Sequence, residues 1–190
     1  MYSTDEEKMH NVLIGTEKAD IIVNEDEYTK NDNFVEALLG GGNDKFTDAT
    51  EYGDIIYGEG GDDEIGAGTG GNKGDLTDKL YGGDGRNKYV VDKFNLGTRN
   101  QWYENNSTYA KIMDFDLRNG ELNSNYNGDQ IILSTKKKGK YRIGDYDGEV
   151  GIYLGDNIVG IVKGDWDVDF LKTLDREMDL GDQSFLFIYK

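Results

Sequence analysis

The chain has no cysteine, no proline and a single histidine. The missing cysteines exclude a disulfide framework, a thiolate metal site and a cysteine nucleophile. One histidine, His10, leaves no metalloprotease zinc set and no Ser-His-Asp or Cys-His machinery. No apolar run nears the ~18 residues a membrane helix needs. The opening MYSTDEEKMHNVLIGTEKAD is charged throughout and lacks the apolar core of a cleaved signal. Basic charge is scarce as well: 21 Lys and Arg stand against 38 Asp and Glu, a net charge of −17. Repulsion then argues against nucleic acid and anionic membrane as partners and favours cations.

Glycine and aromatics are plentiful. A flexible linker is poor in aromatic residues, whereas 13 Tyr, 7 Phe and 2 Trp accompany the 27 glycines here. A folded, β-rich protein is expected. Three textures divide it: 1–38 is mixed, 39–90 holds more than half of the glycines, and 91–190 resembles an ordinary β-rich region.

The middle region repeats with a period of nine. LGGGNDKFT (39–47), GEGGDDEIG (58–66) and GGDGRNKYV (82–90) each put Asp or Asn sixth and an apolar residue eighth. The sixth-place residues are Asp44, Asp63 and Asn87; the eighth-place residues are Phe46, Ile65 and Tyr89. Looser units place Asp54 before Ile56, Asp78 before Leu80, and, further upstream, Asp20 before Ile22. The intervals from Asp20 to Asn87 are 24, 10, 9, 15 and 9, so insertions interrupt the rhythm.

Nine residues divide into a six-residue turn and a three-residue strand. Glycine opens the turn because it accepts positive φ. One apolar residue per strand faces inward, and only stacking of several units builds a core. Equivalent aspartates would then lie about 4.8 Å apart. At that separation two carboxylates repel by some 3–4 kcal/mol at an effective dielectric near 20. A cation between coils removes the conflict. Calcium–oxygen distances of roughly 2.3–2.6 Å match half the coil spacing, and magnesium, which demands a tight octahedron, suits less well.

These repeats resemble the nonapeptide repeats of the RTX (repeats-in-toxin) calcium-binding family. The clear match covers about a quarter of the chain. The resemblance implies an all-β fold: a short parallel β-roll, or β-solenoid, over 39–90. Residues 1–38 would form an N-terminal cap and first coil. Residues 91–190 would form an antiparallel β-rich cap with one short helix. It implies turns on alternate edges, with Asp44, Asp63 and Asn87 along one and Asp54 and Asp78 along the other. Turn carbonyls of Gly40, Gly42, Gly58, Gly60, Gly82 and Asp84 would complete the calcium ligands, for two to four ions. Two departures weaken the pattern: Asn87 replaces an aspartate, marking a last turn, and the turns before Asp54 and Asp78 lack leading glycines.

The segment 110–134 reads as two strands around a polar loop and resembles the segment that follows the roll in RTX proteins. There Asp114 and Asp129 become further ligands, the alternative being two solvated turn acids. Residues 141–164 alternate as hairpins. Residues 165–174 carry a helix signal with an aspartate start, and SFLFIYK reads as a closing strand. That end resembles an uncleaved type I secretion signal, the alternative being simply a buried last strand. With the repeats, the resemblance implies an extracellular, non-catalytic module folding on calcium, and a monomer is expected. Two placed carboxylates suffice for glycoside hydrolysis, yet the patterned acids are accounted for by the ion. The second reading is a carbohydrate-binding module for extracellular polysaccharide, with Trp102, Tyr103 and Tyr109 as stacking residues.

Overall fold

The computed structural model describes residues 11–24, 35–48, 53–67, 77–91, 109–118, 127–133, 141–164 and 187–189. Every regular element in them is a strand. In chain order these are β1 (Asn11–Thr16), β2 (Ile21–Asn24), β3 (Val35–Gly40), β4 (Lys45–Asp48), β5 (Ile55–Tyr57), β6 (Glu64–Gly66) and β7 (Lys79–Tyr81). They continue as β8 (Lys88–Val90), β9 (Ala110–Ile112), β10 (Gln130–Leu133), β11 (Tyr141–Tyr146), β12 (Glu149–Leu154), β13 (Asn157–Val162) and β14 (Phe187–Tyr189). The helix expected over 165–174 lies outside the described residues.

Successive strands alternate between two sheets. One has the order β1-β3-β5-β7-β9-β13-β12-β11, the other β14-β10-β8-β6-β4-β2. From β1 to β10 every strand pairs in parallel with the next but one. The described residues are therefore strand-rich, without a helix, and mostly parallel. Only β11, β12 and β13 run antiparallel, as a meander on the end of the larger sheet.

The register follows from side-chain alternation. In the coils the eighth-place residues all point between the sheets, where Phe46, Ile56, Ile65, Leu80 and Tyr89 are buried. A three-residue strand such as Lys79–Tyr81 buries only its middle residue, Leu80. No coil holds itself together. Each is stable because its one apolar side chain touches those of its neighbours in a continuous column. Tyr89 packs against Phe115, ring centres 5.9 Å apart, and its hydroxyl donates to Asp114 Oδ1 at 3.1 Å.

The stack does not stop at Asn87. Strands β9 and β10 pair in parallel with β7 and β8, so the two sheets pass residue 90 without a break. Tight glycine turns join β3 to β4, β5 to β6 and β7 to β8. The connections from β2 to β3, β6 to β7 and β8 to β9 leave from the opposite edge, whereas the long connection from β9 to β10 leaves from the glycine-turn edge.

Candidate functional site

The tight-turn edge carries a column of acidic and amide side chains. Each sixth-place Oδ1 accepts the backbone N–H of its counterpart one coil earlier. Asp44 accepts from Asp20 at 2.8 Å, Asp63 from Asp44 at 2.8 Å, Asn87 from Asp63 at 3.1 Å, and Asp129 from Asn87 at 2.7 Å. Asp44, Asp63, Asn87 and Asp129 are all buried. Asp54 and Asp78 form a second buried column on the other edge: Asp54 accepts from Val35 at 2.8 Å and Asp78 from Asp54 at 2.9 Å. The structure thus gathers the sequence-identified residues into the two expected rows. It also adds Asp129 to the first, beyond the turn that the amide of Asn87 had marked as last.

The second carboxylate oxygen distinguishes these positions. Oδ2 of Asp44 and Oδ2 of Asp63 are buried and have no hydrogen-bond partner. Asn87 resolves the same problem without charge, since its Nδ2 donates to the Gly83 carbonyl at 3.3 Å. Asp129 Oδ2 accepts from the Asp116 N–H at 2.9 Å. Asp114 turns both oxygens to the Gly82 and Gly83 N–H groups at 2.9 Å, capping the turn before β8. Asp114 and Asp129 therefore serve as backbone acceptors, whereas Asp44 and Asp63 hold oxygens that nothing among the described residues satisfies. A buried acceptor left unpaired costs roughly 1–3 kcal/mol, more when charged.

Gly58 shows where the Asp63 oxygen points. A methyl group on its Cα would collide with both Asp63 Oδ2 and the Gly82 carbonyl oxygen. Two oxygens, one from the coil and one from the next, thus converge over a residue that has no side chain. Of the other turn carbonyls named from the sequence, Gly40, Gly60 and Asp84 each accept one backbone N–H, from Gly60, Gly42 and Gly61 at 3.0, 2.8 and 3.1 Å. A carbonyl has a second lone pair. Among the described residues no three His, Cys, Asp or Glu side chains gather to hold a metal ion. The sixth-place column supplies one carboxylate or amide per coil.

Burial disfavours the charged form of these groups. It pushes Asp63 up to about 6, helped by the neighbouring Asp44 and Asp62 carboxylates. Burial raises Asp44 as well, and Asp129 to about 6. Asp62, next in sequence to Asp63, moves the other way. The Arg86 N–H and guanidinium hold it below the usual carboxylate range. Between the ordinary value of 3.8 and about 6, the folded metal-free chain holds more protons at Asp63 and Asp129 than the unfolded chain. The stability these two groups contribute is fully present below that window and is lost as pH rises through it. In EDTA the far-UV β signal is expected to be larger at pH about 5 than at pH about 7. An equal or larger signal at neutral pH would contradict the burial of these carboxyl groups in charged form.

A third row escaped the sequence reading. Asn43 Oδ1 accepts from the Asp62 N–H at 2.9 Å, and Asp62 Oδ1 from the Arg86 N–H at 2.9 Å. Arg86 then closes on Asp62 at 3.0 Å. These are the fifth places of the three clear repeats. The signal was there, because all three are polar residues able to bond along the stack. This row runs opposite to the sixth-place column: here the later coil donates to the earlier.

The aromatic platform expected for a sugar is only partly in view. Trp102 and Tyr103 lie outside the described residues. Tyr109 is half-buried, its ring 6.1 Å from Tyr146 and 5.7 Å below the Lys111 ammonium. No helix among the described residues is long and apolar enough to cross a membrane. Comparison with protein-family models, with curated proteins and with solved structures finds no match for this chain.

Proposed function

We propose that this chain is a non-catalytic calcium-binding β-roll of the RTX type, which folds when it meets extracellular calcium. The observation that carries the reading is the pair of buried, unpartnered oxygens, Asp44 Oδ2 and Asp63 Oδ2, in one column along the glycine turns. A hard cation with oxygen ligands answers that need. Asp44 and Asp63 supply the charge. Carbonyls of Gly42, Gly58 and Gly82, with the second lone pairs of Gly40, Gly60 and Asp84, supply neutral oxygens between coils. Calcium tolerates such a mixed, irregular shell better than magnesium. A sixth-place column with one carboxylate or amide per coil fits a site completed by backbone rather than by a cluster of acids.

The physiological consequence rests on charge. At low intracellular calcium the like-charged columns oppose folding, and the chain stays suited to export. At millimolar extracellular calcium, binding free energy becomes folding free energy. Asp63→Asn separates this reading from a purely structural one, because Asn87 already demonstrates that an amide is tolerated in the column. In EDTA the substitution removes a buried charge and is expected to stabilise the fold by about 1–3 kcal/mol. In calcium it removes a ligand and is expected to raise the calcium midpoint about tenfold or more. Far-UV β content in EDTA and the calcium midpoint of folding read the two signs. The same sign in both would sink the proposal.

A further inference from the structure

We propose that the N-terminal end of the stack is a pairing surface for a second copy of this chain. Strands β1 and β2 are the terminal strands of the two sheets, and among the described residues nothing pairs with their outer edges. Both present a row of backbone N–H and C=O groups, a ready template for another strand. Their outward side chains are apolar and open to solvent: Val12 is 50% exposed, Ile14 77%, Ile21 80% and Val23 48%.

Proteins ordinarily blunt such edges with charge, proline, bulges or very short strands. The other end of the molecule follows that rule. Edge strand β11 carries Arg142 and Asp145, and edge strand β14 is three residues long. Strands β1 and β2, reading NVLIGT and IIVN, contain no charged residue. In a chain of net charge −17 this is a place where two copies can meet without opposing charges at the contact.

The geometry suits a two-fold axis. A rotation normal to the sheets sets β1 against its copy and β2 against its copy, both antiparallel, so that two sheets become continuous across the junction. A nonpolar ladder already runs across the larger sheet to this edge through the registered residues Ile14, Leu38, Tyr57 and Tyr81. Its tyrosine rings stack at 4.7 Å. Pairing joins two such ladders end to end. This departs from the monomer expected from the sequence, and it stands whether or not calcium is the ion of the turns.

Sedimentation of the full chain in calcium tests it. A dimer is expected at about 10–100 μM. Ile14→Lys with Ile21→Lys is expected to weaken it roughly tenfold or more, with an unchanged far-UV spectrum. Because the chain has no cysteine, an Ile14→Cys variant gives a second readout: it should cross-link on oxidation, whereas Tyr146→Cys on β11 should not. A monomer at every concentration overturns the proposal, whether residues 1–10 then cover the edges or leave them open. So does a dimer that the lysine pair leaves intact, or one that Tyr146→Cys captures equally well.

Discussion

Stripping calcium with EDTA is expected to abolish most of the far-UV β signal, and restoring millimolar calcium to recover it. The magnitudes make this the largest effect available. A site filled to a thousand times its dissociation constant contributes about 4 kcal/mol. Two such sites give about 8 kcal/mol, within the whole 5–15 kcal/mol by which domains are usually stable. The coils have little to set against that loss. Most bury one residue per three-residue strand, and buried Asp44, Asp54, Asp63 and Asp78 all sit in columns of like charge. Magnesium at the same concentration should restore little, since it demands a regular octahedron and gives up its waters reluctantly. Equal β content in calcium and in EDTA would end the calcium-switch reading.

Placing one methyl group at Gly61 is expected to cost nearly as much. Gly61 sits at φ +129°, a conformation that L side chains rarely adopt, and a Cβ there would collide with the Gly42 carbonyl oxygen. That oxygen belongs to the backbone of the neighbouring turn and cannot swing away. Gly61→Ala should therefore lose more than about 4 kcal/mol, even in saturating calcium. Gly60, its neighbour, is the control. No atom lies within 4 Å of a Cβ built there. Gly60→Ala keeps the carbonyl and should change stability by less than about 0.5 kcal/mol. Urea unfolding of the two variants in calcium separates them. Comparable losses at both positions would mean that the turns are not packed coil on coil at this distance.

The nine-residue rhythm carried much of the fold, because it combines two spacings that stacking requires. Sixth-place Asp44 and Asp63 and eighth-place Phe46 and Ile65 could be read in order, and the structure puts the first pair in a column and the second in the core. The continuation to Asp129 could not be read. Asn87 and Asp129 are 42 residues apart, against 19 from Asp44 to Asp63. A periodic pattern loses phase at any insertion, whereas a stack only needs the chain to return to the same corner. Long insertions cost little closure entropy, so nothing in the residues between marks the return. The division of labour among the acids was illegible for another reason. Asp63, Asp114 and Asp129 look alike as letters. Only the geometry shows that Asp114 and Asp129 spend both oxygens on N–H groups while Asp63 keeps one in reserve. The fifth-place row of Asn43, Asp62 and Arg86 hid behind the sixth, because polar residues in a turn usually meet only water.

As far as β8, the two edges of the stack differ in how they treat length. The glycine turns fix the pitch between coils at one edge. The connections from β2 to β3, from β6 to β7 and from β8 to β9, whatever their length, return the chain to the next coil from the other. Pitch and contour length are thereby uncoupled. Foreign sequence grafted after β2, β6 or β8 adds contour at an edge that already tolerates it, and leaves the spacing of Asp44 and Asp63 untouched. The molecule is in that sense a ruler with a free margin, and the margin is where it can be written on.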